Sequence, residues 1–219
     1  MGSLTEENYI KSIYSLSLEA GEVSVSELAK KLEVKLPTVN SMVKKLATKK
    51  LVSYAKYQGV KLTDKGKKEA LAIIRKHRLT ESFLVQIMGL GWEEVHDIAE
   101  QLEHVESERF FNRIDEMLGK PKVDPHGEPI PDVNGKIAAR NRMSLSQVKE
   151  GDSAKITAVA NDEKTFLDHL NSKGLQIGDN VTVKKKESFD GSVTIALKGK
   201  KETILSHLVA ERIWVEPIP

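Results

Sequence analysis

Four of the chain's seven prolines and three of its fourteen glycines fall within residues 119–135, GKPKVDPHGEPIPDVNG. Proline removes a backbone donor and glycine loosens the chain, so neither helical nor strand periodicity survives such a segment and it divides the molecule. Before it, apolar residues recur at helical spacing. After Ser144 come short β-branched runs, Ala154 to Val159, Asn180 to Val183 and Ser192 to Leu197, with a last strand from Arg212 to Val215 and two short apolar-periodic pieces, Phe166 to Leu170 and Ile204 to Val209. The expected fold is therefore mainly α with a small β part, the β part a small barrel. No repeat or low-complexity tract is present.

The 219 residues hold no cysteine, which excludes a disulfide scaffold, a zinc ribbon and a cysteine nucleophile. The formal net charge of +2 conceals two opposed segments. Val23 to Leu62 carries nine lysines against Glu27 and Glu33, while Glu93 to Glu116 carries nine acidic residues against Arg109 and Arg113. Such asymmetry assigns separate tasks to the two stretches. No apolar run approaches the roughly 18 residues of a membrane span, and the chain opens on a polar, periodic helix, so a cytoplasmic protein with no membrane partner is expected.

In the basic stretch, a first helix from Leu4 to Leu18 ends at Gly21. Ser24-Val25-Ser26-Glu27 is a capping box that opens a second helix. Pro37 stands in the first turn of a third, with Val39, Val43 and Leu46 as its buried stripe and small Ala29 where the helices cross. Two short helices joined by a tight turn, followed by two strands around Gln58-Gly59, describe a winged helix-turn-helix. Such a helix fits the major groove, where first-turn polar groups meet base edges and lysines meet phosphates. Pro37, Thr38, Asn40 and Ser41 form the expected reading end, and Lys44, Lys45, Lys56 and Lys61 the phosphate contacts.

In the acidic stretch, Thr63 caps a long helix reaching about Met88, and a second is expected from Glu93 to Leu118. His77 and Glu81 share a face of the first; His96, Glu100, Glu103 and His104 form one stripe of the second. Facing helices of this kind present up to six nitrogen and oxygen donors to a metal, though each residue alone reads first as a solvated helix face or an i,i+4 pair. One Glu-x-x-His occurs, at Glu93 to His96, where a di-iron bundle needs two. No HExxH, phosphate loop or GxSxG motif is present, so no enzymatic activity is expected.

The motifs Glu7-Asn8-Tyr9-Ile10-Lys11-Ser12-Ile13-Tyr14, Pro37-Thr38-Val39, Leu62-Thr63-Asp64-Lys65-Gly66, Arg75-Lys76-His77-Arg78-Leu79-Thr80-Glu81, Val95-His96-Asp97, Leu102-Glu103-His104-Val105 and Pro125-His126-Gly127-Glu128-Pro129-Ile130-Pro131 run along the chain. On these residues the sequence resembles the diphtheria toxin repressor family of metal-dependent bacterial transcription regulators. The resemblance implies a winged helix-turn-helix DNA-binding domain over residues 1–66, a helical dimerisation and metal-binding domain with its linker over 67–135, and an SH3-like domain over 144–219. It also implies a homodimer that binds a palindromic double-stranded operator when loaded with metal and controls metal uptake. One ligand set would be Asn8, Glu100, Glu103 and His104. The other would be His77, Glu81 and His96, with Asp124 and His126 in the linker role and Asn161 or Asp162 near the C-terminal ligand.

Two positions depart from the family pattern. Asn8 replaces the Asp or Met usual there, and Lys11 replaces an acid found in some manganese regulators. Glu100 stands where iron regulators place Cys, and a carboxylate in place of a thiolate favours manganese over iron(II). The alternatives are a winged-helix regulator with a non-metal ligand and a metal-buffering protein. DNA association should weaken with salt at a log-log slope of about −0.9 per phosphate neutralised, measurable by anisotropy between low and physiological salt; a flat salt dependence would remove the lysines from the interface.

Overall fold

The computed structural model describes residues 3–54, 59–138, 143–160, 163–197 and 201–218, which form two compact units. The first comprises Met1–His77, Glu100–Phe111 and Pro131–Ile137, and the second Arg78–Ala99, Asn112–Ile130 and Ala138–Pro219.

In the first unit, α1 (Leu4–Ala20) starts from a capping box in which Ser3 and Glu6 exchange side-chain and backbone bonds, and Gly21 ends it. α2 (Val25–Lys31) starts from the expected box of Ser24 and Glu27. α3 (Leu36–Thr48) has Pro37 in its first turn and buries Val39, Val43 and Leu46. The wing is an antiparallel pair, β1 (Val52–Ser53) and β2 (Lys61–Leu62), with Val52 opposite Leu62. Val23 bridges to Val60, which ties the start of α2 to the wing. Tyr9, Ile10 and Ile13 of α1 close one core with Leu28, Val39, Val43, Leu46, Leu51 and Val60. α4 (Asp64–Gln86) follows at once; Thr63 Oγ1 accepts from the Gly66 amide and caps it. Only glycine fits at 66, because a Cβ there would lie 1.9 Å from the Leu51 carbonyl oxygen.

The helix expected from Glu93 to Leu118 is two helices, α5 (His96–Leu102) and α6 (Glu108–Met117). Residue 107 explains the break: Ser107 Oγ and its carbonyl both accept from the Phe110 amide, so a new N-terminus starts there. Glu103 and His104 therefore stand in a turn, and the single stripe from His96 to His104 does not exist as a helix face.

The C-terminal region, all in the second unit, is a six-stranded antiparallel sheet ordered β3-β8-β4-β5-β6-β7. Its strands are β3 (Met143–Ser144), β4 (Ser153–Val159), β5 (Asn180–Lys186), β6 (Val193–Leu197), β7 (Thr203–Leu205) and β8 (Ile213–Ile218). α7 (Lys164–Ser172) buries Phe166, Leu167 and Leu170 against it, and α8 (His207–Glu211) precedes β8. Register shifts between Ile156 and Ala158 and between Val183 and Lys185 bend β4 and β5 around the core of Ile156, Val181, Val183, Ile195 and Ile213.

Glu6 is buried at the junction of α1 and α3, with Lys49 Nζ 2.7 Å and Lys45 Nζ 3.1 Å from its carboxylate. Lys49 foremost, with Lys45 and the Ser3 amide, outweighs the cost of burial and lowers its pKa from 4.5 to about 2. A depressed acid stabilises the fold above its unfolded pKa and loses that contribution as pH falls through the folded value. Thermal unfolding between pH 5 and pH 2 should show Glu6→Gln less stable than wild type by about 2 kcal/mol at the upper end, the half-exposed lysines reducing the full value, and the gap should close at the lower end.

Candidate metal centre and nucleic-acid interface

In the first unit, donors converge from three directions. α1 presents Glu7, Asn8 and Lys11 within one turn, α4 presents His77, and the end of α5 with its following turn presents Glu100, Glu103 and His104. Glu103 is fully buried, and its two oxygens lie 2.7 and 2.8 Å from Lys11 Nζ, with His77 Nδ1 2.6 Å from Oε2. The same ammonium donates to Glu100 at 2.5 Å. His104 Nδ1 is 2.6 Å from Glu7 Oε2, and its Nε2 faces Glu103 Oε1 at 3.8 Å. One donor atom from each of His77, Glu100 and Glu103 lies within 4.8 Å of the others. Asn8 Oδ1 is buried with no hydrogen-bond partner, which is costly for an amide oxygen unless a cation or donor reaches it. Oxygen and imidazole donors without sulfur suit a hard or borderline divalent ion, so these residues fit the metal that the sequence implies. Glu7 was not among the expected site residues. Its signal was its position beside Asn8 on a helix whose opposite face is apolar.

The second unit gathers Glu81, Asp124 and His126, all buried, with ligand atoms within 4.8 Å of one another. His96 Nδ1 is 3.6 Å from Glu81 Oε1. The proline-rich segment forms a tight reversal there: Val123 bridges to Pro129, and Asp124 Oδ1 accepts from the amides of His126 and Glu128 at 2.8 and 2.9 Å. Arg78 Nε lies 3.4 Å from Asp124 Oδ2, and its Nη1 donates to the Pro129 carbonyl. Burial, then the charge of Glu81, pushes the Asp124 carboxyl well above the ordinary range. Burial alone would lower His126, but Glu81 above all, with Asp124 and the Trp92 carbonyl, raises it to about 9. Its Nε2 is 2.9 Å from the Trp92 carbonyl, and its ring stacks on Trp92 at 5.9 Å. Gly127, at φ 81°, approaches β4 so closely that a Cβ would lie 2.0 Å from the Thr157 carbonyl. Asp162 lies outside the described residues.

At the reading end of α3, Pro37, Thr38, Ser41 and Lys44 are exposed. The Ser41 hydroxyl donates to the Pro37 carbonyl, and Tyr54 of the wing donates to Asn40 Oδ1 at 3.1 Å. Two of the expected phosphate contacts carry an intramolecular partner: Lys45 pairs with Glu6, and Lys61 with Glu22 at 2.5 Å. Lys56 lies outside the described residues.

A winged helix-turn-helix in one chain with a sulfur-free carboxylate and imidazole centre has the make-up of a metal-dependent transcriptional repressor. Residues 3–60 match the model of the iron dependent repressor N-terminal DNA binding domain, residues 63–132 that of the iron dependent repressor metal binding and dimerisation domain, and residues 143–217 the FeoA domain. The iron-dependent repressor IdeR of Mycobacterium leprae is 31% identical over 98% of this chain and 97% of its own. The diphtheria toxin repressor of Corynebacterium efficiens is 30% identical over 98% and 96%. A manganese-dependent transcriptional repressor solved with manganese superposes at a TM-score of 0.87, with 33% identity over 97% of this chain and all of that one; ScaR with bound Cd2+ gives 0.82 and 33% over 97% and 99%. The chain belongs to the iron-dependent repressor family, whose members are repressors and not enzymes. No described helix is long and apolar enough to cross a membrane.

Asp124 holds two backbone amides and a guanidinium as well as standing among donors, so its loss should be felt without metal. Asp124→Ala should lower the stability of chelator-treated protein by about 2–3 kcal/mol, whereas Glu100→Ala, at a half-exposed position, should cost under about 1 kcal/mol; chemical denaturation of both variants reads the difference.

Proposed function

We propose that the repressor responds to manganese(II), with iron(II) as the weaker effector, and acts as a cytoplasmic homodimer on a palindromic operator. The observation that carries this reading is the donor set around buried Glu103, in which Glu100 supplies oxygen where iron-responsive relatives place a thiolate. Asn8, Glu100, Glu103 and His104, with His77 beside Glu103, would hold one ion. Glu81, His96, Asp124 and His126 would serve a second, and Asp162 is proposed to join them from the C-terminal region. When bound, a divalent ion would supply a concentrated positive charge for these carboxylates to share.

The chain's own residues do the rest. Asn8 contributes its amide oxygen from α1, the helix that also packs the winged module's core through Tyr9, Ile10 and Ile13. Drawing Asn8 toward Glu103 and His104 therefore fixes α1, and with it α3, for DNA. Thr38, Asn40 and Ser41 would meet base edges, with Lys44, Lys45, Lys56 and Lys61 on phosphates. In a dimer the two recognition helices must stand about 34 Å apart, or a multiple, to enter successive major grooves. The domain limits implied by the resemblance, 1–66, 67–135 and 144–219, are proposed as the working division. Control of metal uptake is the proposed role.

The test is a gel shift on a duplex selected from a random pool by manganese-loaded protein, run at controlled free manganese and iron(II). Manganese should tighten binding by about 5- to 150-fold over chelator, the span of ordinary allosteric couplings. Glu103→Ala should lose that response and keep salt-sensitive association. Equal affinity with and without chelator in the wild type overturns the reading, and an unchanged response in Asn8→Ala removes the bridging role of Asn8.

A further inference from the structure

Lys11 carries the wrong sign of charge for a metal ligand, yet it sits at the middle of the carboxylate cluster. It lies one turn after Asn8 on α1, its side chain is 20% exposed, and its Nζ is 2.5 Å from Glu100 Oε2 and 2.7 and 2.8 Å from the two oxygens of Glu103. An ammonium has three N–H donors, and three carboxylate oxygens stand within bonding distance of this one. Glu100 and Glu103 are also the two carboxylates that share a ligand-compatible arrangement with His77.

We propose that Lys11 is a resident cation of this centre, a built-in competitor that sets how much divalent metal is needed to load it. The inference rests on the metal-centre reading above and adds to it the property of this chain's own lysine. Two cations on the same oxygens repel strongly at such distances, so an ion held by Glu100 and Glu103 requires the ammonium to leave. The four-carbon stem of lysine lets the charge swing into water without moving α1. With the ammonium in place, α1 is tethered to Glu100 and Glu103 and the buried carboxyl group of Glu103 is compensated. The lysine thus supports the unloaded fold and raises the metal concentration at which the loaded one forms.

The experiment titrates manganese(II) into the metal-stripped full chain, following free manganese by electron paramagnetic resonance, for wild type, Lys11→Met and Lys11→Gln. Methionine keeps the length of the stem and removes its charge; glutamine serves if the methionine variant misfolds. The manganese binding that is lost in Glu103→Ala should tighten in both variants by about tenfold or more, as expected for release of a close charge pair. In wild type, which needs no variant to fold, the rate at which an amine-reactive ester labels Lys11 should rise when manganese is added and return with chelator. Wild-type affinity in both variants, or labelling of Lys11 that is indifferent to manganese, overturns the competitor role and leaves the metal centre standing. Manganese binding undiminished in Glu103→Ala overturns the metal centre itself, and the inference with it.

Discussion

The carboxyl group of Glu103 is shut off from water, and a charge in such a place is tolerated only with opposite charge and hydrogen bonds close by. Lys11 supplies both to its two oxygens, and His77 supplies a third contact. These contacts bind α1, α4 and the turn after α5 into one electrostatic arrangement within the first unit. The break between α5 and α6 belongs to the same arrangement, because Glu103 and His104 occupy the turn between those two helices. The 17-residue helix α1 carries Asn8 and Lys11 on one side and Tyr9, Ile10 and Ile13 in the winged module's core on another. α1 is therefore engaged on both sides within the first unit, by the charged cluster on one and by the core shared with α3 on the other.

The cluster in the second unit is built on a different principle. Asp124 spends Oδ1 on two backbone amides and turns Oδ2 toward Arg78, so the proline-rich segment is folded into a tight reversal by its own carboxylate. His126 is aimed by a carbonyl at one nitrogen and by stacking on Trp92. Groups held this firmly are preorganised, which would spare the ion proposed for this cluster the entropy of collecting them. The first cluster, by contrast, has an ammonium among its carboxylates and an amide oxygen left unpartnered in Asn8.

The basic segment is less basic at the surface than its composition implies. Glu6, buried at 1% exposure, holds Lys45 and Lys49, and Glu22 holds Lys61. Those pairs orient lysines around α3 and the wing as much as they neutralise them, since two of the three lysine side chains are more than half exposed. Asn40, whose amide oxygen accepts from Tyr54, shows the same economy: the wing fixes a side chain that the recognition helix presents.

Periodicity, caps and turn residues determined the winged module from sequence alone, because each is a local signal. The box formed by Ser24 and Glu27, Pro37 in the first turn of α3 and, farther along the chain, the β-branched runs of β4, β5 and β6 all rest on residues a few positions apart. The same local reading named most of the donors, and the resemblance ordered them into sets. It failed between Glu93 and Leu118, where a helical period continues through Ser107 while the chain does not. What surrounds each donor was decided only by tertiary structure. Lys11 and Glu103 lie 92 residues apart, and no spacing rule joins a lysine on one helix to a buried carboxyl group in a distant turn. The proline-rich segment that divides the sequence likewise reads as mere interruption until the fold closes it on Arg78 and Glu81, because a carboxylate's partners are set by burial and distance, not by its place in the chain.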